Sequence, residues 1–133
     1  MEKRLEKIRK DFGHKLVGNK HAKRIICETL LMFPNDIINL VTKNICFLAS
    51  FHDAWAYTLD SRDFQNKHVI ILSDQLFEQN REQIRSTIIH EIGHVILGHR
   101  NAFNAQQSRE EIAKQEQDAE SFTVYYINRK IYK

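Results

Sequence analysis

The sequence is poor in the residues that interrupt or cross-link a chain. Its 133 residues include one proline, four glycines and two cysteines. So few breaker residues exclude long flexible linkers. Two cysteines without a Cys-x-x-Cys spacing exclude a disulfide scaffold and a cysteine-based zinc finger. We interpret Cys27 and Cys46 as buried thiols in a reducing compartment.

The sequence also lacks a long apolar run and a strong charge of one sign. No window approaches the ~18 apolar residues that a membrane span needs. The N-terminal segment "MEKRLEKIRKDFGHK" has no apolar centre, so we do not expect a secretory signal. Basic residues outnumber acidic ones only 20 to 17, which is too small a surplus to predict a nucleic-acid or membrane partner. We therefore expect a soluble, cytoplasmic protein.

Hydrophobic periodicity predicts helices at both ends of the chain and strands between them. The predicted helices cover residues 2–12, 20–33, 36–43, 82–97 and 108–131. The predicted strands cover residues 45–51, 54–59 and 68–73, and the first two of them form a hairpin. This order predicts a single α+β domain over 1–133, with helices packed on a small, mostly antiparallel sheet.

The segment "HEIGH" places ionisable side chains within an apolar helix. His90 and His94 are four residues apart, so they lie one turn apart on the same face and can bind one divalent metal ion together. Glu91 points about 100° away from His90, which keeps it off the metal but within reach of a metal-bound water. The spacing is typical of a zinc hydrolase with glutamate as general base. The alternative is a histidine pair whose partners are other core groups.

A catalytic zinc ion also needs a third protein ligand and an open position. His99 follows His94 by five residues, whereas the extended metzincin motif requires six, so we interpret His99 as a helix-ending residue. The last predicted helix offers Glu116, with Glu120 one turn further. We expect Glu116 to bind the metal and Glu120 to accept the second N–H of a histidine. The alternative is a solvated acidic face.

Gly93 is an unexpected residue in the middle of this helix. Glycine there costs about 1 kcal/mol of helix stability relative to alanine. We interpret it as a sign that another helix or backbone approaches closely at this position.

These residues resemble the gluzincin metallopeptidases. The motif at 90–94, followed by Glu116-x-x-Ala119-x-x-Phe122, is similar to ImmA/IrrE-type metallopeptidases, which act on phage and stress repressors. It is also similar to the minigluzincins, which are small archaeal zymogens. The resemblance covers roughly residues 36–127 and includes "HVIILSDQLF" and "HEIGHVILGH". The final "TVYYINRKIYK" lacks the Met-Pro ending common in ImmA/IrrE proteins, so the subfamily stays open.

The resemblance implies a zincin-like fold that holds one Zn²⁺ ion. Its catalytic core would span 36–131, after N-terminal helices in 1–35. Gluzincins often have aspartate or asparagine where Glu120 stands. The implied activity is a zinc-dependent endopeptidase, in which Glu91 activates the metal-bound water. Gluzincins usually add a side chain that stabilises the oxyanion. The candidates here are Tyr126, Tyr57, His52 and Tyr125.

A protein or peptide substrate would lie extended along a sheet edge, pairing its backbone with strand 68–73 or strand 54–59. Trp55 would be a substrate contact or a core residue. An alternative from another functional class is a latent or non-catalytic metal-binding regulatory module of the same fold. In a latent enzyme the C-terminal "YYINRKIYK" would fold back over the metal.

Overall fold

The structure, a computed structural model, describes residues 2–49, 68–98 and 109–128. Within these ranges the helices are α1 (Glu2–Phe12), α2 (Lys20–Leu30), α3 (Asn35–Asn44), α4 (Arg81–Ile96) and α5 (Arg109–Ile127). The strands are β1 (Leu16–Val17), β2 (Ile45–Ala49) and β3 (His68–Leu72), and 3₁₀ turns cover Gly13–Lys15 and Asp74–Glu78. A helix-rich α+β fold is confirmed. The predicted strand 54–59 lies outside the described residues.

The sheet differs from the prediction in the direction of its strands. β2 is the central strand and pairs in parallel with β1 on one side and β3 on the other. In this register Leu16 aligns with Phe47, and Ile45 aligns with His68. The expected mostly antiparallel sheet is therefore wrong for the described strands. Parallel neighbours cannot be joined by a tight hairpin and need long crossover connections instead.

The burial of β2 gives the physical reason for this correction. All five of its residues are buried, as is usual for a parallel strand covered on both faces. The hairpin predicted between 45–51 and 54–59 lies partly outside the described residues, but its first segment, "ICFLASF", is a nearly continuous apolar run. β3 does alternate, since Ile70 and Leu72 are buried while Val69 and Ile71 are exposed. Continuous apolar character was thus the signal for a central parallel strand.

The helix α4 begins and ends at residues suited to those positions. The Asn80 side chain accepts a hydrogen bond of 2.8 Å from the Gln83 N–H, which caps the first turn. Gly98 follows the helix with a φ of 70°, a backbone conformation that glycine adopts without strain. Buried isoleucines form one face of α4 within the core, at positions 84, 88, 89 and 92. None of the described helices combines the length and apolar character needed to cross a membrane.

A buried carboxylate connects α4 to α2. The Glu28 side chain is only 8% exposed. It accepts hydrogen bonds from Arg24 at 2.8 Å, Arg81 at 3.0 Å and Arg85 at 3.3 Å. Arg24 also donates to Glu2 of α1 at 2.7 Å. Three helices therefore share one network of charged hydrogen bonds, which fixes the first half of α4.

Both cysteines are buried, as expected. Burial in apolar surroundings disfavours the charged thiolate and raises the pKa of the Cys27 thiol to about 11. Cys27 therefore has the character of a packing residue rather than a nucleophile.

Candidate metal centre

The two histidines of the motif lie at the border of the buried face of α4. They are flanked by buried Ile89 and Gly93, while His90 and His94 themselves are partly exposed. Their rings meet edge to face with centroids 4.8 Å apart. Because both side chains leave the helix on the same face, their Nε2 atoms lie 3.2 Å apart.

The helix α5 packs against α4 beside this pair, and Gly93 makes the close contact possible. A Cβ atom on Gly93 would lie 2.8 Å from Cδ1 of Phe122, closer than two carbon atoms normally approach. The predicted close approach at Gly93 is confirmed, and the group that approaches is a phenylalanine ring. Most of α5 is exposed, and its fully buried residues within the described range are Ala119 and Thr123.

Three aromatic side chains hold α5 in place. Phe33, which is completely buried in the turn after α2, lies 6.0 Å from Phe122 and 4.6 Å from Tyr126 between ring centroids. Phe122 and Tyr126 are 4.8 Å apart. We call Phe33, Phe122 and Tyr126 the aromatic cluster. Phe33 ends the helix predicted over residues 20–33, and the sequence did not predict its contacts with the last helix. Its position directly before Pro34, at the end of that helix, was the available signal.

This packing brings the Glu116 carboxylate against both histidines. Its Oε2 atom lies 3.1 Å from Nε2 of His90, and its Oε1 atom lies 3.2 Å from Nε2 of His94. With the 3.2 Å separation of the two nitrogens, the three side chains form a closed triangle of ligand atoms. Two imidazoles and one carboxylate are a donor set used by catalytic zinc sites.

Hydrogen bonds alone do not account for all three contacts of the triangle while the Glu116 carboxylate is ionised. If both Nε2 atoms carry protons, each donates to Glu116, and the two nitrogens 3.2 Å apart make no hydrogen bond with each other. If one Nε2 is unprotonated, its lone pair faces a carboxylate oxygen at 3.1 or 3.2 Å. Neither arrangement makes a hydrogen bond of all three contacts. A shared cation would satisfy the three atoms together, since each can present a lone pair to one centre.

The spacing of the triangle also suits zinc. Bonds of 2.0–2.1 Å in a tetrahedral site place neighbouring ligand atoms about 3.3 Å apart. The three observed separations, between 3.1 and 3.2 Å, are close to that value. The residues present therefore fit a small divalent ion without rearrangement of the helices.

Glu120 lies beside His90, and Glu91 lies at a depression next to α4. The Oε2 atom of Glu120 is 3.8 Å from Nδ1 of His90. This distance is longer than a hydrogen bond. Nδ1 is the ring nitrogen that does not contact Glu116. Glu91 borders a depression of about 390 Å³ between the end of β3 and α4, together with Ile71, Leu76 and Thr87. The roles expected from the sequence, general base for Glu91 and acceptor of a histidine N–H for Glu120, stay predictions.

The candidates for oxyanion stabilisation are in different situations. Tyr126 is partly buried within the aromatic cluster. Tyr125 is largely exposed, and its ring centroid lies 4.8 Å from that of Tyr126. Tyr57 and His52 lie outside the described residues, as do His99 and Trp55.

A comparison with protein families agrees with this geometry. Residues 48–127, more than half of the chain, match the model of a peptidase family described as the IrrE N-terminal-like domain. The chain belongs to this family. The match includes β3, the depression beside Glu91, and both helices of the triangle. Of the two groups that the sequence resembles, the family match therefore supports the ImmA/IrrE-type metallopeptidases. No curated protein and no solved structure matches the chain.

Proposed function

We propose that this protein is a zinc-dependent endopeptidase, in which His90, His94 and Glu116 hold one Zn²⁺ ion. The observation that carries the proposal is the triangle of ligand atoms at 3.1–3.2 Å. It is supported by membership of a peptidase family whose matched region contains all three residues. The chemistry that zinc supplies in such sites is a lower pKa of coordinated water and a polarised scissile carbonyl.

Glu91 acts as the general base in this proposal. It follows His90 directly, so the helix turns its carboxylate about 100° away from the ligand side chains. Its position at the depression beside β3 lets it face both a substrate peptide and the attacking water. The Glu91 carboxylate takes a proton from that water and delivers it to the amide nitrogen as the C–N bond breaks.

Glu120 acts as a positioning group for His90. A histidine that binds metal through Nε2 carries its proton on Nδ1, and a carboxylate at Nδ1 fixes that tautomer and the ring orientation. The 3.8 Å separation between Glu120 and His90 Nδ1 closes to a hydrogen bond with a small rotation of the exposed glutamate side chain.

The substrate is an extended peptide that lies along β3. Within the described residues β3 pairs with β2 on one side only, and a peptide adding to the other side would use backbone hydrogen bonds for affinity. Ile71, which is 58% exposed on β3, also borders the depression that contains Glu91. An apolar substrate side chain would cover Ile71 and Leu76 while its peptide bond faces Glu91.

The test is the substitution Glu91→Gln, with Glu82→Gln as the matched control. Glu82 lies in the first turn of the same helix and undergoes the same loss of charge. With a peptide library and mass spectrometry as the readout, Glu91→Gln should bind zinc as wild type does and lose about 10²–10⁴-fold of the cleavage rate. Glu82→Gln should cleave normally. Normal cleavage by Glu91→Gln would refute its role as the base. A zinc-bound wild type that cleaves no peptide would instead favour the latent or non-catalytic module.

A further inference from the structure

We infer that Gly93 is a positioning residue for the metal centre, because its missing side chain lets Phe122 bring α5, and with it Glu116, up to the two histidines. This inference rests on the proposed zinc site and adds a residue that binds no metal. It explains why a helix that carries two ligands contains a glycine in its middle, where alanine would form a better helix.

The contact between Gly93 and Phe122 involves the base of the phenylalanine side chain. A Cβ atom at position 93 would lie 2.8 Å from Cδ1, 3.2 Å from Cγ and 3.5 Å from Cβ of Phe122. Rotating the ring moves Cδ1 but not Cγ, which lies on the rotation axis. The short distance to Cγ would therefore remain after any ring rotation.

The surroundings of Phe122 leave little room for the whole side chain to swing aside. Its ring centroid is 4.8 Å from that of Tyr126 and 6.0 Å from that of the completely buried Phe33. Closely packed interiors pass such a displacement to the backbone rather than absorb it. A side chain at position 93 would consequently push α5 away from α4.

The contact lies close to the metal ligands on both helices. Gly93 is adjacent to His94, and Phe122 follows Glu116 by six residues, which is about 9 Å along the helix axis. Restoring an ordinary carbon–carbon distance of about 3.5–4.0 Å would move the helices apart by about 1 Å. A metal–ligand distance tolerates a deviation of only about 0.2 Å from its usual value. The flexible Glu116 side chain would recover part of this loss, so zinc binding should weaken but persist.

A double-mutant cycle on zinc affinity tests the inference. The four proteins are wild type, Gly93→Ala, Glu116→Ala and the double variant, and a chromophoric chelator competes for zinc at fixed pH. Gly93→Ala should raise the Kd for zinc about tenfold to hundredfold, the range seen when groups that orient a ligand are removed. In the Glu116→Ala background the same change should alter the Kd by less than about twofold, because the remaining histidines both lie on α4.

Two outcomes of the cycle would overturn the inference. Gly93→Ala with the wild-type Kd would show that α5 does not depend on Gly93. An equal loss in both backgrounds would show that the substitution damages α4 itself. If wild type and Glu116→Ala bind zinc equally, the proposed metal site fails. If Glu116→Ala weakens binding but Gly93→Ala does not, only the present inference fails.

A second pair of variants tests the part played by Phe122. Phe122→Ala removes Cγ and Cδ1, so it should restore part of the zinc affinity that Gly93→Ala has lost. Val124→Ala is the matched control, since Val124 is an exposed apolar residue on the same helix and its truncation should restore nothing. No recovery in Gly93→Ala/Phe122→Ala would overturn the assignment of the clash to Phe122.

Discussion

Replacing Glu28 by glutamine should destabilise the protein through the helix that carries the histidines. The substitution keeps the size of the side chain but removes the charge that three arginines share. An amide oxygen still accepts from one arginine, while the amide NH₂ group is a donor and would face the others. The loss is therefore electrostatic and leaves no cavity.

The size of the effect depends mainly on Arg85. Arg24 and Arg81 are more than half exposed, so each of these pairs is worth at most about 1 kcal/mol. Arg85 is 22% exposed, and its buried Nε atom finds no acceptor among the residues that the structure describes, so Arg85 relies strongly on Glu28. A hydrogen bond to a charged group in such surroundings contributes about 1.5–3 kcal/mol. Together these contributions predict a loss of roughly 2–4 kcal/mol.

Thermal and urea unfolding followed by circular dichroism measure this loss. A domain of this size should show a decrease in Tm of roughly 10 °C. The matched control is Glu6→Gln, an exposed acid on α1 whose loss should change the free energy of unfolding by less than about 0.5 kcal/mol. If Glu28→Gln unfolds at the same temperature as Glu6→Gln, the network does not hold α4 to α2.

Three further predictions concern stability and substrate binding. Because the unfolded thiol ionises near pH 9 and the pKa of folded Cys27 is about 11, the stability contributed by the neutral thiol is complete below pH 9. Stability should fall by roughly 2–3 kcal/mol more in wild type than in Cys27→Ala as the pH rises to 11, and no difference in slope would contradict this. Gly98→Ala should lower the free energy of unfolding in urea by about 1 kcal/mol, because a φ of 70° is strained for alanine. Gly98→Asn should lower it by less. Equal stability of wild type and both variants would argue against that strain. Ile71→Glu should raise KM for apolar peptides at unchanged zinc affinity, and an unchanged KM would remove β3 from the substrate site.

The grouping of His90, His94 and Glu116 was predictable because most of the relations between these residues are local. Two residues four apart on a helix share a face wherever the helix lies, so the pairing of His90 and His94 needs no tertiary information. Glu116 required one further assumption, that the last helix packs beside α4. The glycine at position 93 pointed to a close approach there, and the approaching group is Phe122 of that helix.

The sheet was not predictable to the same extent because its pairings are distant in sequence. β1 consists of two residues, too few for any periodic pattern, and it pairs with a strand almost thirty residues later. The parallel pairing of β2 goes with its being covered on both faces. The local sequence shows this coverage only as a continuous apolar run. Glu28 gave no signal either, since a glutamate on α2 looks like a surface residue until the arginines of α4 surround it.

The most direct measurement of the metal centre is X-ray absorption spectroscopy at the zinc edge, on wild type and on Glu116→Ala. The wild-type spectrum should show zinc bound by two imidazole nitrogens and carboxylate oxygen at about 2.0–2.2 Å. Glu116→Ala should keep both imidazoles, lose the carboxylate and bind zinc more weakly, while Glu110→Gln on the same helix should match wild type. A site with fewer than two imidazoles, or a spectrum unchanged by Glu116→Ala, would contradict the convergence of α4 and α5 on one ion.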